Sequence, residues 1–277
     1  MLFRSSKGVH YEKRPVKGTD GKPVAGLFNA WITLDNQAQF NSYTTDMVKA
    51  TILAFRAASA ARDVVAVVFT GAGDKAFVSG ADISQFEDMR AAREAVARYE
   101  EMAETALMAI YNCQVPTLSC IRGYCIGGGV NVAISCDIRI ASGDSVFSVP
   151  AARLGLGYRY SAMKNLVDLI GPGAAKDLFF TARRIDAAEA HALGLVTRVC
   201  AAEYLPGLLA EYTQALADNA PLTVRAGKAI TAQILKPSPE LDFDLCQRLI
   251  QGCFASEDYA EGRKAFMEKR KPVFRGK

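Results

Sequence analysis

The chain is 277 residues long, 50% hydrophobic and 22% charged, with a formal net charge of +4. These values suit one large soluble domain, or a domain with an appendage, and the charge is too small to imply a nucleic acid partner. Seven cysteines without a Cys-x-x-Cys pair, and two histidines (His10 and His191) without a partner at ligand spacing, give neither a disulfide framework nor a metal site.

In chain order, residues 9–14 and 27–34 read as strands joined by the turn chemistry of Thr19-Asp-Gly-Lys-Pro23. Residues 44–61 repeat apolar side chains at helical spacing through Met47, Ile52 and Phe55. Residues 64–69 form a continuous apolar, β-branched run, the mark of a strand buried on both faces. A loop, Gly71-Ala-Gly-Asp-Lys75, leads to residues 76–82, and residues 83–111 are a long amphipathic helical stretch. Residues 117–121 and 138–141 read as strands on either side of a short helix at 130–135. Helical segments follow at 161–170, 174–179 and 187–193, with His191 a structural member of the last. Strand and helix alternate to about Arg198, and everything from Ala202 onward reads as helix. An α/β core with an N-terminal hairpin is therefore expected over 1–201, and a helical region over 202–277. Its apolar positions Leu205, Leu208, Leu209, Tyr212 and Leu216 exceed what a solvated appendage needs, so they are expected to face a neighbouring subunit. No apolar run has membrane-spanning length and there is no signal-peptide h-region, so a cytoplasmic protein without a membrane partner is expected.

The most informative stretch is Ser119-Cys-Ile-Arg-Gly-Tyr-Cys-Ile-Gly-Gly-Gly-Val-Asn-Val-Ala-Ile-Ser-Cys-Asp137. A strand-like run reaches a turn at Arg122-Gly123, and Gly127, Gly128 and Gly129 then open an apolar helix. Glycines at a helix entrance let backbone approach a ligand. They also leave the first N–H groups pointing outward at the positive end of the dipole, which suits a phosphate or a developing oxyanion. A tight turn with close helix packing explains the run equally well. No Gly-Lys-Ser/Thr follows, which excludes a P-loop, and no Gly-x-Gly-x-x-Gly begins at Gly123.

Lys75-Ala-Phe-Val-Ser-Gly-Ala-Asp-Ile83 followed by Gly123-Tyr-Cys-Ile-Gly-Gly-Gly129 resembles the crotonase superfamily, also called the enoyl-CoA hydratase/isomerase family. Phe180-Thr-Ala-Arg-Arg-Ile-Asp186, Ser256-Glu-Asp-Tyr-Ala-Glu-Gly262 and Phe266-Met-Glu-Lys-Arg-Lys-Pro272 resemble the same family. The resemblance runs from about Leu34 to Lys271 and leaves the N-terminal hairpin as an addition. It implies a spiral of ββα turns and a C-terminal helical region that builds a homotrimer or homohexamer. It implies an acyl-CoA thioester as the partner, with no cofactor beyond the coenzyme A carried by the substrate. The matching oxyanion hole would be the N–H groups of Ala81 and Gly128. Ser79, Gly80, Ala81, Asp82 and Ile83 would meet the adenine and pantetheine, Val149 the acyl end, and Lys269 the CoA phosphates of a neighbouring subunit.

One departure bears on the chemistry. Hydratases of this family carry one glutamate two residues after the glycine triplet and another after the proline that follows the next strand. Those positions here are Asn131 and Ala151, and neither can exchange a proton. Enoyl-CoA hydratase, the family's commonest activity, is the leading expectation. Residues 147–196 resemble methylmalonyl-CoA decarboxylases, in which a tyrosine stands where Tyr158 does. Tyr158 would then orient or donate to a carboxylate, with Arg159 attracting a negative charge. Residues 34–77 resemble the hydrolases that open cyclic oxo-enoyl-CoA esters, and a CoA-binding relative without catalysis is a further alternative. Asp82, Glu87, Asp88 and Tyr124 are other candidates for the missing acids, whereas Asp137 reads as structural.

Overall fold

In the computed structural model, which describes residues 5–6, 8–17, 22–82 and 93–277, the hairpin expected at the N-terminus is longer than the sequence suggests. Ser5–Ser6 (β1), Val9–Lys17 (β2) and Pro23–Leu34 (β3) form an antiparallel ribbon. The chain then runs through Thr45–Ala60 (α1), Val64–Gly71 (β4), Ala76–Val78 (β5) and Arg93–Tyr111 (α2). Next come Thr117–Ile121 (β6), Tyr124–Ile126 (β7) and Gly128–Ser135 (α3), followed by Ile138–Ser142 (β8), Val146–Ser148 (β9) and Tyr160–Thr181 (α4). Each of these turns is strand, strand, helix, so the expected ββα spiral is present.

The first strands of successive turns, β4, β6 and β8, lie side by side and parallel, with β3 at one flank and Arg198–Cys200 (β11) at the other. The second strands, β5, β7 and β9, form a smaller parallel sheet closed by Ile185–Asp186 (β10). β4 is buried along nearly its whole length because helices cover both faces of the larger sheet, as its β-branched run predicts. On one face the core holds Phe55, Phe69, Phe77, Phe147 and Leu166. Thr44 caps α1 by accepting from the Met47 N–H at 3.2 Å, a local signal that the sequence carries in Thr-Thr-Asp. α4 breaks at Gly171 (φ 77°) before Pro172, so the two helices expected there stand either side of one kink.

The helices that follow are Ala187–Ala192 (α5), Leu205–Asp218 (α6), Pro221–Ile234 (α7), Phe243–Phe254 (α8) and Glu257–Met267 (α9). α6 corrects an expectation. Leu205 and Leu209 are buried with Ala66, Val68, Leu118, Cys120 and Ile140, and Leu208, Tyr212 and Leu216 pack around them. This apolar face therefore covers the second face of the chain's own large sheet, and α6 sits with the core. Large exposed apolar side chains come later, including Ile234, Phe243, Phe254, Phe266 and Met267. Among the described residues, no helix is long and apolar enough to cross a membrane.

Candidate functional site

Parallel pairing in the small sheet brings three loops to one edge. β5 pairs with β7 and β7 with β9, so the segments leaving all three strands exit at the same end. These segments are residues 79–82, 127–129 and 149–151, which carry most of the sequence-predicted site. Asn41 braces the first of them. It sits buried at φ 55° and donates from Nδ2 to the carbonyls of Ala72 (2.9 Å) and Ala76 (2.7 Å). Its Oδ1 accepts from the Asn36 N–H at 3.0 Å, and the Ser79 N–H donates to the neighbouring Phe40 carbonyl at 3.2 Å. Sequence reading passed over this residue because its partners lie 31 and 35 positions away.

Tyr43 and Ala81 form a single parallel bridge. The Tyr43 N–H donates to the Gly80 carbonyl (2.8 Å) and the Asp82 N–H donates to the Tyr43 carbonyl (3.2 Å). That pattern leaves the N–H of Ala81 facing away from Tyr43. Gly128 is the first residue of α3, whose earliest helical bonds are donated by Val130 and Asn131 to the Gly127 carbonyl. Its N–H thus has no helical acceptor. A methyl group placed on Gly128 would lie 3.9 Å from the Ala81 nitrogen, so the two backbone segments stand close to one another with room for a small group between them. Neither N–H finds an acceptor among the described residues. Two neighbouring main-chain donors without acceptors, one of them at a helix entrance, have the chemistry an oxyanion requires.

The glycines beside Gly128 are needed for other reasons. Gly127 has φ 55°, and a methyl on Gly129 would come within 2.2 Å of the Val78 carbonyl oxygen. α3 can therefore lie against β5 only without a side chain at that point.

Around the gap stand Val149 and Ala151, both buried, and Asn131, partly exposed on α3. No carboxylate occupies either hydratase position. The Tyr158 hydroxyl donates to Asn131 Oδ1 at 2.5 Å, and its ring meets Phe179 edge-on with centroids 5.1 Å apart. Burial pushes the Tyr158 phenol up to about 12, against the smaller opposing effects of Asn131 and Arg159, so it stays protonated. The hydroxyl proton of Tyr158 is engaged by Asn131. Arg159 is held by α2 through Glu100, through the Glu100 carbonyl (3.2 Å) and, more distantly, through Glu104 at 3.7 Å.

The remaining candidates divide clearly. Asp137 is structural: its Oδ2 accepts from the Thr117 N–H (2.7 Å) and hydroxyl (2.9 Å) and from Lys228 Nζ (2.7 Å). His191 Nδ1 contacts the Val196 carbonyl at 3.0 Å, also a structural role. Tyr124 packs edge-on against Phe40, outside the gap. Lys269 is exposed just past α9, away from the chain's own Ala81–Gly128 pair in sequence and element. Ile83, Glu87 and Asp88 lie outside the described residues. A cavity of about 1010 Å³ opens elsewhere, between α2, α4, α7 and α8, and none of the expected site residues lines it. No cluster of metal-ligating side chains occurs among the described residues.

The ββα spiral, with its paired backbone donors at the edge of the small sheet, defines a crotonase-fold α/β protein. The chain belongs to the enoyl-CoA hydratase/isomerase family, whose model matches residues 29–277. It is 31% identical to the short-chain-enoyl-CoA hydratase of Clostridium acetobutylicum over 87% of this chain and 92% of that one. Over 48% of its length it is 46% identical to the 6-oxocyclohex-1-ene-1-carbonyl-CoA hydrolase of Thauera aromatica, a match that spans only 36% of that enzyme. Among solved structures, an enoyl-CoA hydratase/carnithine racemase from Magnetospirillum magneticum superposes with a TM-score of 0.89 at 32% identity. That likeness covers 100% of this chain, whereas the family model begins at residue 29 within the N-terminal hairpin.

Proposed function

We propose that this protein is an acyl-CoA enzyme that stabilises a thioester enolate between the N–H groups of Ala81 and Gly128. The observation that carries the reading is the nearness of the two backbones, a methyl on Gly128 falling 3.9 Å from the Ala81 nitrogen, with no acceptor for either N–H among the described residues. A thioester carbonyl placed there gains negative charge as its enolate forms, and preset donors stabilise that charge at little reorganisation cost. Ser79, Gly80, Asp82 and Ile83 are proposed to hold the CoA moiety, and Val149 the acyl end.

Enoyl-CoA hydration is the activity named by the full-length relative, and it remains the first assay. With Asn131 and Ala151 in place of carboxylates, water addition must draw its acid and base from elsewhere. Ring-opening hydrolysis of a cyclic oxo-enoyl-CoA is a second reading, favoured by the 46% identity to the Thauera hydrolase across 48% of this chain. We also propose a homotrimer or homohexamer, supported by the exposed Phe266 (82%) and Met267 (80%) near the end of the chain. In such an assembly Lys269 would reach the CoA phosphates of a neighbour.

The test is turnover of crotonyl-, methylmalonyl-, ethylmalonyl- and cyclic oxo-enoyl-CoA by the wild type and by Gly128→Ala. Hydration, CO₂ release or ring opening identifies the reaction, and the substitution is expected to lower it roughly 10²–10³-fold. Turnover unchanged in a folded Gly128→Ala protein would remove the oxyanion assignment. Binding of every ester with turnover of none would favour a non-catalytic CoA-binding protein.

A further inference from the structure

Asn131 stands three residues after Gly128 on α3, so the two share a helix face. Helical side chains lean back toward the N-terminus and cover the preceding turn. For Asn131 that turn is Gly127–Gly128, which has no side chains of its own. The carboxamide therefore lies over the same entrance whose N–H groups face the gap. One end of it is fixed, since Oδ1 accepts the Tyr158 hydroxyl at 2.5 Å and Tyr158 is itself wedged against Phe179. The other end, Nδ2, has no acceptor among the described residues, and the residue is partly exposed. Tyr158 cannot reverse the arrangement by losing its proton at ordinary pH, because burial raises its phenol to about 12. Val149 and Ala151, on the segment leaving β9, are apolar and buried.

Among the described residues, the acyl end of the gap thus presents hydrogen-bond donors and no carboxylate. A saturated or simple enoyl chain leaves those amide hydrogens unpaired when it displaces water, which costs affinity. An acyl group with its own acceptor oxygen avoids that loss. We propose that Asn131, oriented by Tyr158, selects acyl-CoA esters whose acyl chain carries an acceptor oxygen, an oxo group or a carboxylate, near the β-carbon. Tyr158 is a positioning residue in this arrangement. The proposal rests on the thioester reading above and adds the class of acyl group.

The experiment measures Kd by titration calorimetry for butyryl-CoA, acetoacetyl-CoA and malonyl-CoA on the full chain. The wild type is expected to bind at least one acceptor-bearing ester about tenfold or more tightly than butyryl-CoA, the size of one well-made hydrogen bond. A gain for acetoacetyl-CoA assigns an oxo group, and a gain for malonyl-CoA a carboxylate. Asn131→Leu should abolish the preference, and Asn131→Asp should turn it against malonyl-CoA through like charge. Tyr158→Phe, by freeing the carboxamide to rotate, should reduce the preference while butyryl-CoA binding changes little. That ratio separates positioning from a general loss of folding. Butyryl-CoA bound by the wild type with no preference among the esters overturns the proposal and leaves the thioester reading intact. Failure to bind any CoA ester overturns the thioester reading itself. The wild-type comparison decides even if a variant does not fold.

Discussion

Gly127, Gly128 and Gly129 are adjacent, yet the structure asks different things of them. Gly127 turns the chain at positive φ, Gly129 lets α3 touch the Val78 carbonyl, and Gly128 would meet the Ala81 and Gly80 backbone only at ordinary van der Waals distance. Alanine should therefore give opposite results at neighbouring sites. Gly129→Ala must move backbone against backbone and is expected to destabilise the fold by about 1–3 kcal/mol or more, the usual range for overpacking. Gly128→Ala has no neighbour nearer than 3.9 Å and should keep its unfolding midpoint while losing turnover. Urea unfolding of both variants beside their rates would check this. Equal loss of stability at the two positions would mean that Gly128 too is glycine for packing alone.

Among the elements, α6 and α9 show how differently an apolar helix residue is used. Leu209 is 2% exposed against the large sheet, whereas Phe266 at the end of α9 is 82% exposed. Leu209→Ala is expected to cost about 2–5 kcal/mol in urea unfolding, the range for emptying a buried leucine site. Phe266→Asp combined with Met267→Asp touches no packed core and should leave the circular dichroism spectrum unchanged. If those side chains meet a neighbouring subunit, the same pair should lower the sedimentation coefficient toward that of a monomer. A wild-type protein that sediments as a monomer at micromolar concentration would rule out the trimer and hexamer.

For the whole molecule, buried titrating groups set an alkaline limit. Burial pushes the Cys136 thiol from 9.0 up to about 12 and the Tyr158 phenol from 10.0 up to about 12, and it raises Cys125 and Tyr43 as well. In each case the folded state keeps its proton to a higher pH than the unfolded chain does. The stabilisation is complete below the unfolded pKa, near pH 9 for the thiols, and is lost as pH rises toward the folded value. Each group contributes about 1.4 kcal/mol per pH unit inside that window. Thermal melts should be level from pH 7 to 8.5 and fall steeply between pH 9.5 and 11. A melting temperature constant to pH 11 would show that these thiols and phenols reach solvent in the folded protein.

The longer strands of the large sheet, β2, β3, β4, β6 and β8, the start of α1 and the glycine-led helix are legible in the sequence because each leaves a local mark, whereas β1 and β11 are not. The marks are a β-branched run buried on both faces, a capping threonine, and residues without Cβ where backbone must come close. The absence of carboxylates at 131 and 151 is equally plain there. The small sheet is not, since β5, β7 and β9 have only three residues each and show no periodicity. Yet that sheet brings Ala81, Gly128 and Val149 together. Apolar spacing along 205–216 marked a buried face correctly, but could not say whether the surface covering it belonged to this chain or another. The partners of Tyr158 and Arg159 lie 27 and 59 positions away. Local pattern records that a side chain will be buried or paired; only the folded chain decides with what.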